Sequence, residues 1–152
     1  MKTNYFSSVA AFILLLWLTA CGNNQTSIPS FPVSMQVDLV QYNDLAAYGA
    51  MRTFITPPSG LDALGFGGVL VVHTLNMDAD TYCAFDLACP YEAQRTVRVE
   101  PQDDKTVKCP QCGSVFRVID GTGFPSSGVS KNKLRQYAVT YDANLKKLYV
   151  RN

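Results

Sequence analysis

Histidine is almost missing from this chain. Among 152 residues there is one, His73, so a site needing two imidazoles cannot form, and acid–base catalysis of the Ser–His–Asp kind has little room. Charge is also sparse, at 16% of residues, and it is balanced: 13 basic against 12 acidic side chains leave a net charge of +1. A nucleic-acid binder needs a basic footprint that this composition does not supply. No phosphate loop, catalytic carboxylate pair or internal repeat stands out, and no segment carries the apolar period of a convincing helix. What the chain does have is a 47% hydrophobic content and five cysteines: Cys21, Cys83, Cys89, Cys109 and Cys112. Its length suits one domain with a real core.

The amino terminus reads as separate from that domain. Lys2 precedes an apolar run from Val9 to Leu18, which ends in Leu18-Thr19-Ala20-Cys21. The run is too short to span a bilayer comfortably, and polar residues follow it directly. The segment resembles a bacterial lipoprotein signal. That resemblance implies export, cleavage after residue 20, and lipid attachment at Cys21, with an uncleaved anchor as the alternative. The expected product is a membrane-anchored lipoprotein of the bacterial cell envelope, held by acyl chains while the rest stays soluble. Residues 21–32, polar and broken by Pro29 and Pro32, read as a tether. The domain is expected over 33–152.

Across it, short β-type pieces alternate with turn signals. Val33, Met35, Val37 and Leu39 alternate with polar neighbours; Val69 to Leu75 is a run of high strand propensity; Tyr82 to Phe85 follows a turn at 76–80. Val97 and Val99 alternate with Arg98 and Glu100, Thr106 to Lys108 and Val115 to Ile119 are further strands, and Gly121 to Gly128 reads as a long loop. Arg135 to Tyr141 and Leu145 to Val150 form a hairpin about Asp142-Ala143-Asn144, while Tyr42 to Arg52 holds one helical turn or an extended loop. The fold class expected is all-β.

Chemistry concentrates in Cys89-Pro90-Tyr91 and in Cys109-Pro110-Gln111-Cys112-Gly113-Ser114. In each, Pro after Cys opens a turn, and Gly113 permits a positive φ. Two such loops between strand ends could meet at one end of a sheet and converge three thiols on one point, as paired metal-binding knuckles do. Cys-x-x-Cys alone describes a redox dithiol, half a zinc site or a disulfide equally well. Cys83, within Tyr82-Cys83-Ala84-Phe85, suits a buried small side chain, with a role as an extra ligand left open. Glu92 can accept a hydrogen bond at the first loop, and His73, inside an apolar run, suits the core.

From Asp86 onward the chain resembles a Rieske iron–sulfur domain. The pieces that carry this are Cys89-Pro90-Tyr91, Cys109-Pro110-Gln111-Cys112-Gly113-Ser114, Val115-Phe116-Arg117, the Gly121 to Gly128 loop and Leu134-Arg135-Gln136-Tyr137-Ala138-Val139. The resemblance implies a fold of several small antiparallel sheets and a [2Fe-2S] centre held by two Cys and two His. Cys89 and Cys109 match the cysteine positions. Tyr91 and Cys112 stand where the histidines would be, so an ordinary Rieske cluster is excluded by composition.

Three states stay open. An atypical [2Fe-2S] cluster could use Cys89, Cys109 and Cys112 with Tyr91 or Cys83; anionic ligands would draw its potential from the Rieske range toward roughly −400 mV. Zinc could take the same thiols. The site could also be metal-free, with a Cys109–Cys112 or Cys89–Cys109 disulfide in an oxidising compartment. Electron transfer with a redox or envelope partner goes with the first state, and a structural or protein-interaction module goes with the others. The amino-terminal reading has its own test. Cys21→Ser is expected to leave an unlipidated precursor, and intact-mass analysis showing normal processing and lipid attachment in that variant would refute it.

Overall fold

The computed structural model describes residues 28–75 and 81–152; the Cys21 region and the turn expected at 76–80 lie outside them. Among the described residues no helix is long and apolar enough to cross a membrane. The architecture is all-β, as expected. Eleven strands follow in chain order: β1 (Val33–Asp38), β2 (Met51–Phe54), β3 (Ala63–Leu64), β4 (Val69–His73), β5 (Tyr82–Asp86), β6 (Glu100–Pro101), β7 (Thr106–Lys108), β8 (Val115–Arg117), β9 (Pro125–Ser127), β10 (Gln136–Asp142) and β11 (Lys147–Arg151). Among the described residues a single 3₁₀ turn, Asn43–Ala46, accompanies them; it sits between β1 and β2 and buries Leu45.

The strands form a seven-stranded sheet, ordered β2-β4-β5-β10-β11-β1-β3, and a four-stranded sheet, ordered β6-β7-β8-β9. Every pairing is antiparallel. β4 is buried along its whole length, because both its faces carry core. Val69 and Val71 join Tyr82, Ala84, Met35, Val37 and Leu148 on one side. Leu70 and Val72 join Phe85, Leu87, Val107, Phe116, Val118 and Leu134 on the other, under the small sheet. A strand buried on two faces loses the polar alternation, which is why the sequence runs Val-Leu-Val-Val there. β1, with one face in water, keeps it.

Several local expectations are corrected. The stretch around Val97 and Val99 does not form a regular strand: Arg98 makes one isolated bridge to Ala88, and the ladder proper is the two-residue β6 beyond it. The alternation has a cause nonetheless. Cys89 N–H donates to Val97 C=O and Val99 N–H to Leu87 C=O, so this piece runs along the extension of β5 with its valines turned inward. The Gly121 to Gly128 loop contains β9, an edge strand beginning at a proline, which propensity does not reveal. β2 and the two-residue β3 were likewise not expected as strands. At the amino end, Ile28 is 3% exposed and its carbonyl accepts a hydrogen bond from the Arg135 guanidinium, so packing on the domain reaches residues placed in the tether by sequence.

A buried carboxylate joins the parts. Asp86, at the end of β5, accepts hydrogen bonds from the amides of Phe66, Gly67 and Ala88 and from the Tyr137 hydroxyl at 2.6 Å. Burial, reinforced by the Asp86 carboxylate, pushes the Tyr137 hydroxyl far above the usual phenol range, so it stays a donor. Gly65 and Gly67 let the 65–67 turn approach this closely; a Cβ on Gly67 would lie 2.8 Å from the Asp86 carboxylate and closer still to the Ala88 amide. Tyr137→Phe is expected to cost about 1–3 kcal/mol, and Asp86→Ala about 3 kcal/mol or more, because three amides would lose their acceptor at once. Urea unfolding curves measure both, and equal losses would show that the carboxylate is not the shared anchor.

Candidate metal centre

The two cysteine loops are built alike. In the first, the Cys89 carbonyl accepts the Ala93 N–H at 2.9 Å; in the second, the Cys109 carbonyl accepts the Gly113 N–H at 3.0 Å. The cysteine N–H groups close the loop bases, Cys89 to Val97 C=O and Cys109 to Ser114 C=O, each at 2.9 Å. The fourth residue after each cysteine has a positive φ, 50° at Ala93 and 71° at Gly113. Pro after each Cys fits the turn because its nitrogen needs no partner there. The first loop leaves β5 and the second connects β7 to β8, so the large sheet and the small one each supply a knuckle.

The knuckles face one another. The sulfurs of Cys89, Cys109 and Cys112 all lie within 4.8 Å of one another, and Cys89 and Cys112 are 3.7 Å apart. Across the rim, the Gln111 amide donates to the Glu92 carboxylate at 2.8 Å, which is one of the two roles the sequence left open for Glu92, the other being a solvated carboxylate. Cys89 and Cys109 are fully buried at the top of the second core, whereas Cys112 is only half-buried.

Burial pushes the Cys89 thiol up to about 12, against the opposing pull of the Glu92 and Tyr91 backbone N–H groups on its sulfur. Burial acts the same way on Cys112 but is outweighed. The Cys112 thiol donates to the Ser114 hydroxyl oxygen, and its hydrogen bonding with the Ser114 side chain and backbone, then with Cys109 and Cys89, holds it below the ordinary value. Ser114 is itself a buried node. Its hydroxyl oxygen accepts from the Val129 and Ser130 amides at 3.1 and 3.0 Å and lies 3.3 Å from the Cys112 sulfur. This clamps the loop after β9 onto the second knuckle, and Gly128 permits it, since a Cβ there would clash with the Ser114 backbone. Sequence pattern gave Ser114 no such role, because its partners lie about fifteen residues away.

Cys83 is not brought to the site. It points from β5 toward Gly121, where a Cβ would sit 2.9 Å from its sulfur, and it is absent from the converging group. Burial and then the nearby Asp120 raise its thiol pKa. Tyr91 stands at the tip of the first loop with its side chain 48% exposed. All four described cysteines are free thiols, and the sulfur pair 3.7 Å apart, Cys89 and Cys112, is neither of the disulfide pairs expected from sequence. His73 lies in the core, 2% exposed, its Nδ1 3.0 Å from the Leu45 carbonyl and its ring stacked on Tyr82.

The two-Cys, two-His cluster therefore does not fit. Its second iron would find a thiol and an exposed phenol where imidazoles are required. Thiolates about 2.3 Å from a tetrahedral zinc stand about 3.8 Å from each other, a spacing the Cys89–Cys112 pair has and the third sulfur, within 4.8 Å of both, approaches. Ligands shared between two irons would have to spread further, by the separation of the metals.

No protein-family model matches this chain, and no curated protein sequence matches it. Among solved structures, the chain is similar to the soluble domain of the Rieske protein II (soxF) from Sulfolobus acidocaldarius, at 17% identity, covering 81% of this chain and 77% of that chain with a TM-score of 0.49.

Ser114→Ala tests the clamp. Leaving the buried Ser130 amide and the part-buried Val129 amide without their acceptor is expected to cost about 1–3 kcal/mol. Losing the Ser114 hydroxyl also removes a contact that favours the Cys112 thiolate, so the pH midpoint of Cys112 alkylation should move upward. An unchanged midpoint would show that the hydroxyl does not act on the thiol.

Proposed function

We propose that this domain is an exported, lipid-anchored module that holds one soft metal ion, of which zinc suits the site best, on the thiolates of Cys89, Cys109 and Cys112. The carrying observation is the convergence of three sulfurs within 4.8 Å, with one pair at 3.7 Å. Among the described Cys, His, Asp and Glu residues no fourth ligand atom joins the group, so water or a partner's donor would complete the tetrahedron. An ion with three protein ligands and one replaceable ligand differs from a closed structural site. It supports binding to an external donor group, and so an interaction role at the membrane surface rather than internal stapling.

The ion's chemistry here is that of a Lewis acid on a soft ligand set. The protein's share is to hold the sulfurs apart at fixed angles. The backbone N–H groups of Tyr91 and Glu92 offset part of the cost of ionising buried Cys89. The Ser114 contact does the same at Cys112. Because each ligand must lose a proton, affinity should fall as pH falls, and more steeply once Cys112, whose thiol is held below the ordinary value, is protonated as well as Cys89.

Electron transfer through an atypical iron–sulfur centre on these three thiolates and a further donor is the competing reading, and metal analysis separates the two. Protein purified anaerobically is expected to bind one zinc per chain, to show tetrahedral thiolate bands when loaded with cobalt(II), and to lose both in Cys109→Ser. Iron with an equal amount of acid-labile sulfide would overturn the single-ion assignment.

A further inference from the structure

The three thiols differ in access, and that difference assigns them a reaction. Cys112 alone reaches solvent, while Cys89 and Cys109 are sealed in the core. Directly behind Cys112, at 3.7 Å, stands the Cys89 sulfur, 23 residues away in sequence and on the other knuckle. A disulfide needs the sulfurs about 2 Å apart, so closing this pair requires a movement of less than about 2 Å. Gly113, next to Cys112 in the second knuckle, faces open space: nothing lies within 4 Å of the position a Cβ on it would take. Cys89 and Cys109 are each held at both backbone groups, so the movement falls to Cys112.

We propose that the metal-free domain is a dithiol that reduces aliphatic disulfides, with Cys112 as the attacking sulfur and Cys89 as the resolving one. The Cys112 thiolate attacks one sulfur of the incoming disulfide, R–S–S–R. The Cys112–S–R bond forms, the S–S bond breaks, and the first R–S⁻ leaves and takes up a proton. Cys89 then gives up its proton, and its sulfur attacks Cys112 Sγ. The Cys89–Cys112 bond forms and the second R–S⁻ departs to be protonated. The protein loses two electrons and two hydrogens, and the disulfide gains them as two thiols. Only Cys112 can meet a bulky disulfide, because only it has a solvent path, and only Cys89 stands close behind it on a separate loop. The product links the two knuckles and leaves Cys109 as the single thiol of the three. Metal binding and disulfide reduction therefore exclude each other. The reaction does not depend on which metal the reduced site holds.

The experiment uses the full chain, reduced and freed of metal with a chelator, then mixed with oxidised glutathione, quenched with acid at intervals, and peptide-mapped. Metal stoichiometry is measured on the same preparation before chelation, so that failure of the metal reading is scored separately. The expected course is a transient glutathione adduct on Cys112, followed by a Cys89–Cys112 disulfide. In Cys89→Ala, chosen because a small apolar side chain suits the buried position, the adduct on Cys112 should persist. In Cys112→Ser the adduct should be lost. Cys109→Ser should still form the disulfide. First modification at Cys83 or Cys109, or a final disulfide containing Cys109, would overturn the assignment. So would a wild-type chain that stays unmodified while unfolded chain reacts. The time course of the wild-type chain decides the order of attack even if a variant does not fold.

Discussion

The structure depends on one buried carboxylate. Asp86 has no access to water, and a charge in that position is tolerable only if its lone pairs are occupied. Four donors occupy them, and they come from three places in the chain: the 65–67 turn, the residue two positions beyond Asp86, and Tyr137 on β10. The donors are positioned by the fold, and the fold is held in register by the acceptor they share. Ala88, one of the four, immediately precedes Cys89. The anchor therefore fixes where the chain leaves the large sheet and where the first knuckle begins. Arg98, whose guanidinium donates to the Gly67 carbonyl, ties the same turn to the piece that closes the base of that knuckle.

The second knuckle has its own anchor in Ser114, which holds the loop after β9 by two amides. Two independently fixed loops can hold sulfurs at a chosen spacing without a bond between them. That spacing is the observation on which both the proposed metal site and the proposed disulfide rest. Thiolates about 3.8 Å apart suit one tetrahedral ion, and the same thiols are a short movement from oxidation. Under the two proposals, metal supply and redox poise would choose between the states, and the burial of Cys89 and Cys109 leaves Cys112 as the exposed side of the group.

Much of the local structure was legible in the residues. The β1 alternation, the doubly buried β4, and the hairpin of β10 and β11 follow from binary pattern and turn residues, which act over a few positions. The Cys-Pro turns were legible for the same reason. The edges were not. β3 is two residues long and β9 begins at a proline, and each is a strand only because a neighbour offers its backbone. The valines at 97 and 99 point inward as their pattern indicated, but the partner of that stretch, Leu87–Cys89, could not be read from the pattern.

The sequence by itself determined the all-β class, the two cysteine turns, and the exclusion of a two-histidine cluster, since these rest on composition and on short-range backbone preference. Only the tertiary structure decided which sulfurs meet. Cys83 lies nearer to Cys89 in sequence than Cys112 does, yet it points from β5 toward Gly121, while Cys112 crosses to within 3.7 Å of Cys89. Side-chain direction along a strand alternates with every residue, and the approach of two loops depends on how two sheets pack. Neither is encoded in the spacing of cysteines along the chain.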